Sequence, residues 1–556
     1  MDIEREWWKE AVVYQVYPRS FNDTDGDGVG DLRGVIEKVD YLDDLGVDVV
    51  WLNPVYESPD ADNGYDIADY RSIKAQFGTM GDWEELLDEL HSRDMRLIMD
   101  LVVNHTSDEH DWFVRSRDPE SEYHDYYYWR DGDGEDPPNN WRSFFSGSAW
   151  TYDEAVGQYY LHLFDEKQPD LNWRNEAVRD EVFEMMNWWL EKGIDGFRMD
   201  VINLISKAEG LPSGDPDEGL PRAEHYVSGP RFGEYMAEMD ERVLADRDIM
   251  TVGEMIDVDA AEGREYVAGD DGLDMLIHFE HMGVDTGDGK WDVTGLDLLE
   301  LKEVISAWQN ELHGEGWNCL YLSNHDQPRQ VSRFGDDGEY RVESAKMLAT
   351  FLHTLQGTPF VFQGEEIGMT NNEFGSVDEF RDVESTNFAE HAVERGEFDE
   401  ADEVLPLLND RSRDHARTPV QWTDGERAGF TDGEPWIQVN DNHESVNVAA
   451  AREDPDSVWH HYRDLIDLRT ERDVVVYGDY DLLLPDHEEV YAFTRTLGDE
   501  RLLTVCNFFD GEPTFELPDE VEYDDADLLL ANYDDAGDDP AAFTLRPYEA
   551  RVYDLH

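Results

Sequence analysis

A chain of 556 residues with 132 Asp+Glu against 44 Lys+Arg, a net charge of −88, offers nothing to a nucleic-acid backbone and excludes that class of partner. Hydrophobic residues at 40% and aromatics at 12%, with 17 Trp, supply a large core and exclude general disorder as the source of the charge. The two cysteines, Cys319 and Cys506, exclude a disulfide framework and a thiolate metal cluster. The acids are spread along the whole chain and Arg far outnumbers Lys, a pattern similar to proteins of salt-accumulating halophiles, so the fold is expected to need high salt. The start, MDIEREWWKE, lacks a basic region followed by an apolar one, and no apolar run approaches the roughly 18 residues of a membrane span. A cytoplasmic protein is expected.

In chain order, Ala11 to Tyr17 reads as a strand and Leu32 to Leu45 as a helix with Asp31 as its N-cap. Val47 to Leu52, a helix over Asp82 to Arg93 and a strand over Arg96 to Val103 continue a βα rhythm. From Asn104 to Asn172 the period fails, and an insertion of that length reads as a small domain of its own. The rhythm returns with a helix over Glu176 to Lys192, a strand in Gly193 to Asn203, a helix over Gly233 to Leu244 and a strand over Ile249 to Glu254. Leu273 to Phe279, Cys319 to Leu322 and Pro359 to Gln363 complete eight strands, with helices near Leu296 to Leu312 and Tyr340 to Leu355 between them.

Eight βα repeats imply an α/β fold, a (β/α)8 TIM barrel with its site at the C-terminal strand ends. A doubly wound sheet would want a glycine-rich phosphate turn after the first strand, and none is seen. After a helix near Asp456 to Arg472, the runs Asp479 to Leu484, Val490 to Leu497, Leu502 to Phe508 and Arg551 to Leu555 read as an antiparallel β-domain. The expected division is a barrel over 1–103 and 173–473, an inserted domain over 104–172 and a C-terminal domain over 474–556.

Side chains alternate along a strand, so Arg198 and Asp200 share one face of the fourth, backed by Phe197 and Met199. Asp100 and His105 fall at the end of the third strand, Glu254 at the end of the fifth, and His325 with Asp326 after the seventh. With so many acids, any one of these reads equally as a cap or a solvated carboxylate. Their common position at the strand ends points to a site.

These residues lie in DLVVNH (100–105), GFRMD (196–200), GEM (253–255) and NHD (324–326), in that order. Together with QPDLNW (168–173), NGYDI (63–67), HLF (162–164) and RDHARTPVQW (413–422), they make the whole chain resemble the α-amylase superfamily of glycoside hydrolases, family 13, on its oligo-1,6-glucosidase side. The resemblance implies a retaining, exo-acting α-glucosidase of short oligosaccharides. In it Asp200 matches the nucleophile, Glu254 the general acid/base and Asp326 the carboxylate that binds sugar hydroxyls. Asp66, His105, His325 and Arg417 match residues that hold the terminal glucose, with Tyr65 and Phe164 as a stacking wall and Arg417 preferred to Arg413. Val201 matches a position where valine accompanies α-1,6 and threonine α-1,4 preference. Retention needs two carboxyl groups about 5 to 5.5 Å apart, a spacing adjacent strands supply. Arg198 is expected to keep Asp200 ionised while a desolvated Glu254 stays protonated.

The loop DTDGDGVGD sets Asp23, Asp25, Asp27 and Asp31 at alternating positions, with the Val29 carbonyl between them. Oxygen ligands on a glycine-bent loop suit Ca²⁺, or Mg²⁺ with waters, and the loop is similar to the family's calcium loop, which implies a structural ion. Transglucosylation, or sucrose or trehalose isomerisation, would use the same carboxylates; the RLDRD-type segment of sucrose isomerases is not seen where the chain reads SNHDQPRQVSRFGDD. A non-catalytic amylase-like partner of a transporter would want a membrane segment and lost carboxylates. The expected partner is a small oligosaccharide, with no nucleic acid and no membrane, and the chain a monomer or weak homo-oligomer.

Overall fold

The computed structural model describes all residues except 1, 2, 4, 133, 135, 216–222, 246, 270, 271 and 288. Eight parallel strands, β1 (Val13–Val16), β2 (Val49–Leu52), β3 (Arg96–Val102), β4 (Gly196–Asp200), β5 (Met250–Glu254), β6 (Met275–Ile277), β7 (Cys319–Leu320) and β8 (Thr358–Phe362), form one sheet. Its order is β6-β5-β4-β3-β2-β1-β8-β7, and a parallel bridge from Leu276 to Asn318 joins the two ends into a barrel. The short apolar runs are buried on both faces, as strands wrapped by helices must be.

Local chemistry sets the boundaries. Thr79 and Asp82 form a capping box at the start of helix Met80–His91, Asn175 caps Glu176–Lys192, and Gly193 ends that helix with a left-handed φ of 107°. Asp31 caps as expected, but the helix it starts breaks at Lys38 (φ −107°, ψ 4°) into Leu32–Glu37 and Val39–Leu45. The fourth strand stops at Asp200, short of Asn203, because Val201 adopts φ 37°, ψ 44° and turns the chain out of the ladder.

Within 104–172 a three-stranded antiparallel sheet forms from Trp129–Arg130, Trp150–Asp153 and Gln158–Leu161. Its Tyr128, Trp141, Trp150 and Leu161 pack into one cluster with Val201 and Leu204 of the barrel. After β8 the chain makes an excursion absent from the βα reading, with helices Val383–Glu394, Leu405–Arg411 and Asp414–Arg417 around Phe374, Phe380, Ala389 and Leu408. That excursion returns two arginines to the strand ends. The C-terminal five-stranded antiparallel sheet docks on the barrel through a shared core in which the Phe351 and Tyr491 rings lie 4.8 Å apart. Strand Ala526–Ala531 and the ribbon of Thr514–Glu516 and Ala542–Thr544 belong to this part and escaped the sequence reading.

Candidate active site

Register brings the acids together. Asp100 on β3 lies beside Arg198 on β4, and Arg198 Nη1 donates to Asp100 Oδ1 and to Asp200 Oδ1, both at 2.7 Å. Arg198 Nη2 lies 2.5 Å from Glu254 Oε1 at the end of β5, and the Val201 amide donates to Glu254 Oε2 at 3.0 Å. The guanidinium is wholly buried, with the Trp51 ring centroid 5.1 Å away. One cation is thus shared by three buried carboxylates.

Burial pushes Asp200 well up, against Arg198, and Glu254 and Asp100 add repulsion; burial likewise raises Glu254, and Asp100 sits near about 6. Arg198 favours the ionised form of Asp200, but its charge is divided among three acids. One guanidinium faces three carboxylates in so dry a place, which disfavours ionisation of all three at once. For chemistry that needs one carboxylate ionised and its neighbour protonated, activity falls on the acid side as the pair gains its second proton and on the alkaline side as it loses its last. Asp100→Asn removes a repelling charge that raises the pair, so both limbs of the pH profile of kcat/KM are expected to move to lower pH. An unmoved or alkaline-shifted profile would contradict this electrostatic picture.

Asp326 has the opposite environment. Burial opposes its ionisation, but the charges of Arg413 and Arg417 hold it well below the usual carboxylate range. Arg417 Nη2 donates to Asp326 Oδ1 at 2.6 Å and Arg413 Nη1 at 3.2 Å, so both arginines of RDHARTPVQW reach it, not Arg417 alone. His325 is buried and neutral, pushed to about 3 by burial, with its Nδ1 accepting from Gln15 Nε2 at 2.8 Å. Tyr65 stacks on the His325 ring at 5.1 Å and receives a hydrogen bond from Asn53 Nδ2 at 2.7 Å. His105, lowered to about 4 by burial, meets the amides of Gln168 and Asn104 and tilts on Phe164 at 5.2 Å. Phe164 is only half-buried and stacks on Phe144.

Asp66 is not where the sequence reading put it. Its carboxylate is wholly buried and accepts from Ser58 Oγ at 2.9 Å and from the amides of Ala61 at 2.9 Å and Asp62 at 3.1 Å, so it ties up its own loop. The acid that reaches the site is Asp62, which accepts from Arg413 Nη2 at 3.0 Å and Gln168 Nε2 at 3.1 Å and is raised to about 7 by burial. Asp62, Gln168 and Asp382, the last bound to Arg413 Nε at 2.7 Å, were missed, and Arg413 had been passed over for Arg417. Phe145 lies 4.7 Å over the Arg413 guanidinium and its carbonyl accepts from Asn387 Nδ2 at 3.3 Å, linking the inserted segment to the excursion after β8.

Away from this site, ligand oxygens of Asp23, Asp25 and Asp27 converge within 4.8 Å of one another. Gly28, at φ 92°, passes so close to the Glu434 carbonyl that a Cβ would sit 1.7 Å from its oxygen, so the bend admits glycine alone. Three carboxylates on a glycine-bent loop suit a hard cation. Asp31 lies outside this group of three, and its carboxylate accepts from the Gly34 amide at 2.7 Å and the Thr24 amide at 2.8 Å. Val29 donates its amide to Asp27 Oδ1 at 2.8 Å.

A barrel with an Arg-linked Asp and Glu on adjacent strand ends and a third, Arg-held Asp opposite is the architecture of a glycoside hydrolase. Residues 15–478 match the α-amylase catalytic domain and residues 480–552 the C-terminal domain of maltogenic amylase, and the chain belongs to the α-amylase family. It is 57% identical to the oligo-1,6-glucosidase of Parageobacillus thermoglucosidasius over the full length of both chains. Among solved structures, trehalose-6-phosphate hydrolase of Bacillus licheniformis superposes with a TM-score of 0.95 at 50% identity, covering 99% of this chain and 100% of that one. Isomaltulose synthase of Klebsiella sp. LX3 superposes with a TM-score of 0.96 at 42% identity, covering 100% of both chains. No helix among the described residues is long and apolar enough to cross a membrane.

Proposed function

We propose that the chain is a retaining exo-α-glucosidase that removes the terminal glucose of short α-glucosides, preferring α-1,6 links. Asp200 is the nucleophile, Glu254 the general acid and then base, and Asp326 the carboxylate that grips sugar hydroxyls with Arg413, Arg417 and His325. The observation that carries the reading is the shared guanidinium of Arg198, which sets Asp200 and Glu254 side by side at adjacent strand ends in a buried cluster. Asp62, paired with Arg413 at 3.0 Å, takes the role first given to Asp66. Val201 favours the α-1,6 link, as the resemblance implies.

Two neighbouring activities are less well supported. In the segment where sucrose isomerases carry their arginines, Arg329 spends its guanidinium on the carbonyls of Gln363, His415 and Ala416, and Arg333 pairs with Asp285. Both are used structurally, which favours hydrolysis. A phosphorylated disaccharide would need a free cation, yet Arg198, Arg413, Arg417 and Lys290 are each engaged by carboxylates. The test is incubation in molar salt with isomaltose, maltose, sucrose, trehalose and trehalose 6-phosphate, following product anomers by NMR. Isomaltose is expected to be cut fastest, with α-glucose as the first product. β-Glucose as the first product, or faster turnover of sucrose or trehalose 6-phosphate, would overturn the assignment.

The loop of Asp23, Asp25 and Asp27 is proposed to hold a structural Ca²⁺ or Mg²⁺. Chelation is expected to lower the unfolding midpoint by several degrees while the anomer formed stays the same; an unchanged midpoint would remove the ion. The net charge of −88 supports a protein adapted to a salt-rich cytoplasm. Its unfolding midpoint is expected to rise by on the order of 10 °C between about 0.1 M and about 2 M KCl, and a flat response by calorimetry would contradict that.

A further inference from the structure

Strands β4 and β5 pair in register only as far as Met199 and Gly253, one residue short of the carboxylates on which the proposed reaction depends. Beyond that pair β4 bends away, since Val201 adopts a left-handed backbone that a β-branched residue rarely takes. On its far side the segment carrying Glu254 remains tied to β6, with the Met255 amide donating to the Ile277 carbonyl at 3.0 Å. On the β4 side the tie is a side chain. Asn203 Oδ1 accepts from the Ile256 amide at 3.1 Å and Asn203 Nδ2 donates to the Ile256 carbonyl at 2.8 Å, the two-bond exchange of a backbone pair made by one carboxamide. Asn203 is wholly buried, and its own carbonyl accepts from the Ser228 amide at 2.8 Å. Between the two ties, the Val201 amide reaches Glu254 Oε2 at 3.0 Å. The Val201 side chain is held among Tyr128, Trp141 and Leu161 of the inserted segment, which fixes the bend.

We infer that Asn203 is a positioning residue for the general acid: it carries the β4–β5 ladder one pair past the bend at Val201, and so holds Glu254 against Asp200 with the Val201 amide on Oε2. The inference rests on the roles proposed above for Asp200 and Glu254. Truncating Asn203 leaves the part-buried Ile256 amide and carbonyl without their partner on this side, and the end of β5 is then free to shift. Asp200 stays on Arg198, so the nucleophile is spared while proton delivery suffers.

A leaving-group comparison separates these effects. Departure of fluoride from α-glucosyl fluoride needs little protonation, whereas departure of the sugar alkoxide from isomaltose needs a full proton; kcat/KM reports the first chemical step for both. For Asn203→Ala, kcat/KM on isomaltose is expected to fall about 100-fold or more and on α-glucosyl fluoride less than about fivefold. Equal losses on the two substrates, or no loss on isomaltose, would overturn the inference. If circular dichroism finds Asn203→Ala unfolded, Asn203→Asp keeps the shape and the acceptor but loses the donor, and the same unequal loss is expected of it; equal losses there overturn the inference as well. A wild-type chain that cleaves neither substrate overturns the proposed function, and this inference with it.

Discussion

Asp200→Asn is expected to lower kcat on isomaltose by at least about 10⁴-fold, equivalent to about 5.4 kcal/mol, with the protein folded and its unfolding midpoint unchanged or raised. The amide keeps an oxygen for Arg198 Nη1 and fills the same space, so packing at the end of β4 is preserved. What disappears is the attacking oxygen, for which neither Asp326, bound by two arginines, nor Asp100, buried against Trp51 Nε1 and Asn53 Nδ2, is a substitute. Removing one of three negative charges around Arg198 relieves repulsion, which is why stability is not expected to fall. Glu254→Gln gives the contrasting pattern. Isomaltose turnover collapses, but the first step on α-glucosyl fluoride survives because fluoride leaves without an acid. Steady-state rates on isomaltose and the pre-steady-state burst of fluoride from α-glucosyl fluoride check both variants, and activity of Asp200→Asn within about tenfold of wild type would remove Asp200 from the mechanism.

Arg198→Met carries the second large effect, and here stability and rate fall together. The guanidinium satisfies Asp100, Asp200 and Glu254 at once, in a place no water-exposed cation reaches. Taking away the cation that three buried carboxylates share costs about 3 to 5 kcal/mol, and the carboxylates respond by keeping their protons. A protonated Asp200 is no nucleophile, so kcat is expected to drop at least about 10³-fold at neutral pH, with partial recovery as pH rises. Arg198→Lys retains a charge but lacks the fork that serves three acids, and is expected to lie between the two. Urea unfolding and the pH dependence of kcat measure the two components separately. A variant stable as wild type with an unshifted profile would show that the shared cation is not what tunes the pair.

The barrel was legible because its strands are short β-branched runs bounded by helices with capping signals, and because alternation along β4 puts Arg198 and Asp200 on one face. Glu254 was legible from its place at a strand end. Loops were read less well, since no period governs which of several acids turns inward. Between Ser58 and Asp66 the sequence offers Asp60, Asp62 and Asp66, and only the fold reveals that Asp66 closes its own loop while Asp62 reaches Arg413. Asp31 reads both as a helix cap and as a fourth acid of the loop; in the fold it caps helix Leu32–Glu37 and lies outside the group of Asp23, Asp25 and Asp27. Val201 looked like one more β-branched strand residue; its left-handed backbone is imposed by packing against the inserted segment, a long-range contact invisible to local pattern. The three-way sharing of Arg198 depended on parallel register between β3, β4 and β5, which alternation within one strand cannot supply.

The central claim is that Asp200 forms a covalent bond to glucose while Glu254 manages the proton. Mixing Glu254→Gln with α-glucosyl fluoride loads the nucleophile and then stalls, because the base that activates water is gone. Peptide mass spectrometry of the quenched protein is predicted to find one glucosyl adduct, on Asp200. An adduct on any other residue, or none while fluoride is released in stoichiometric amount, would contradict the account.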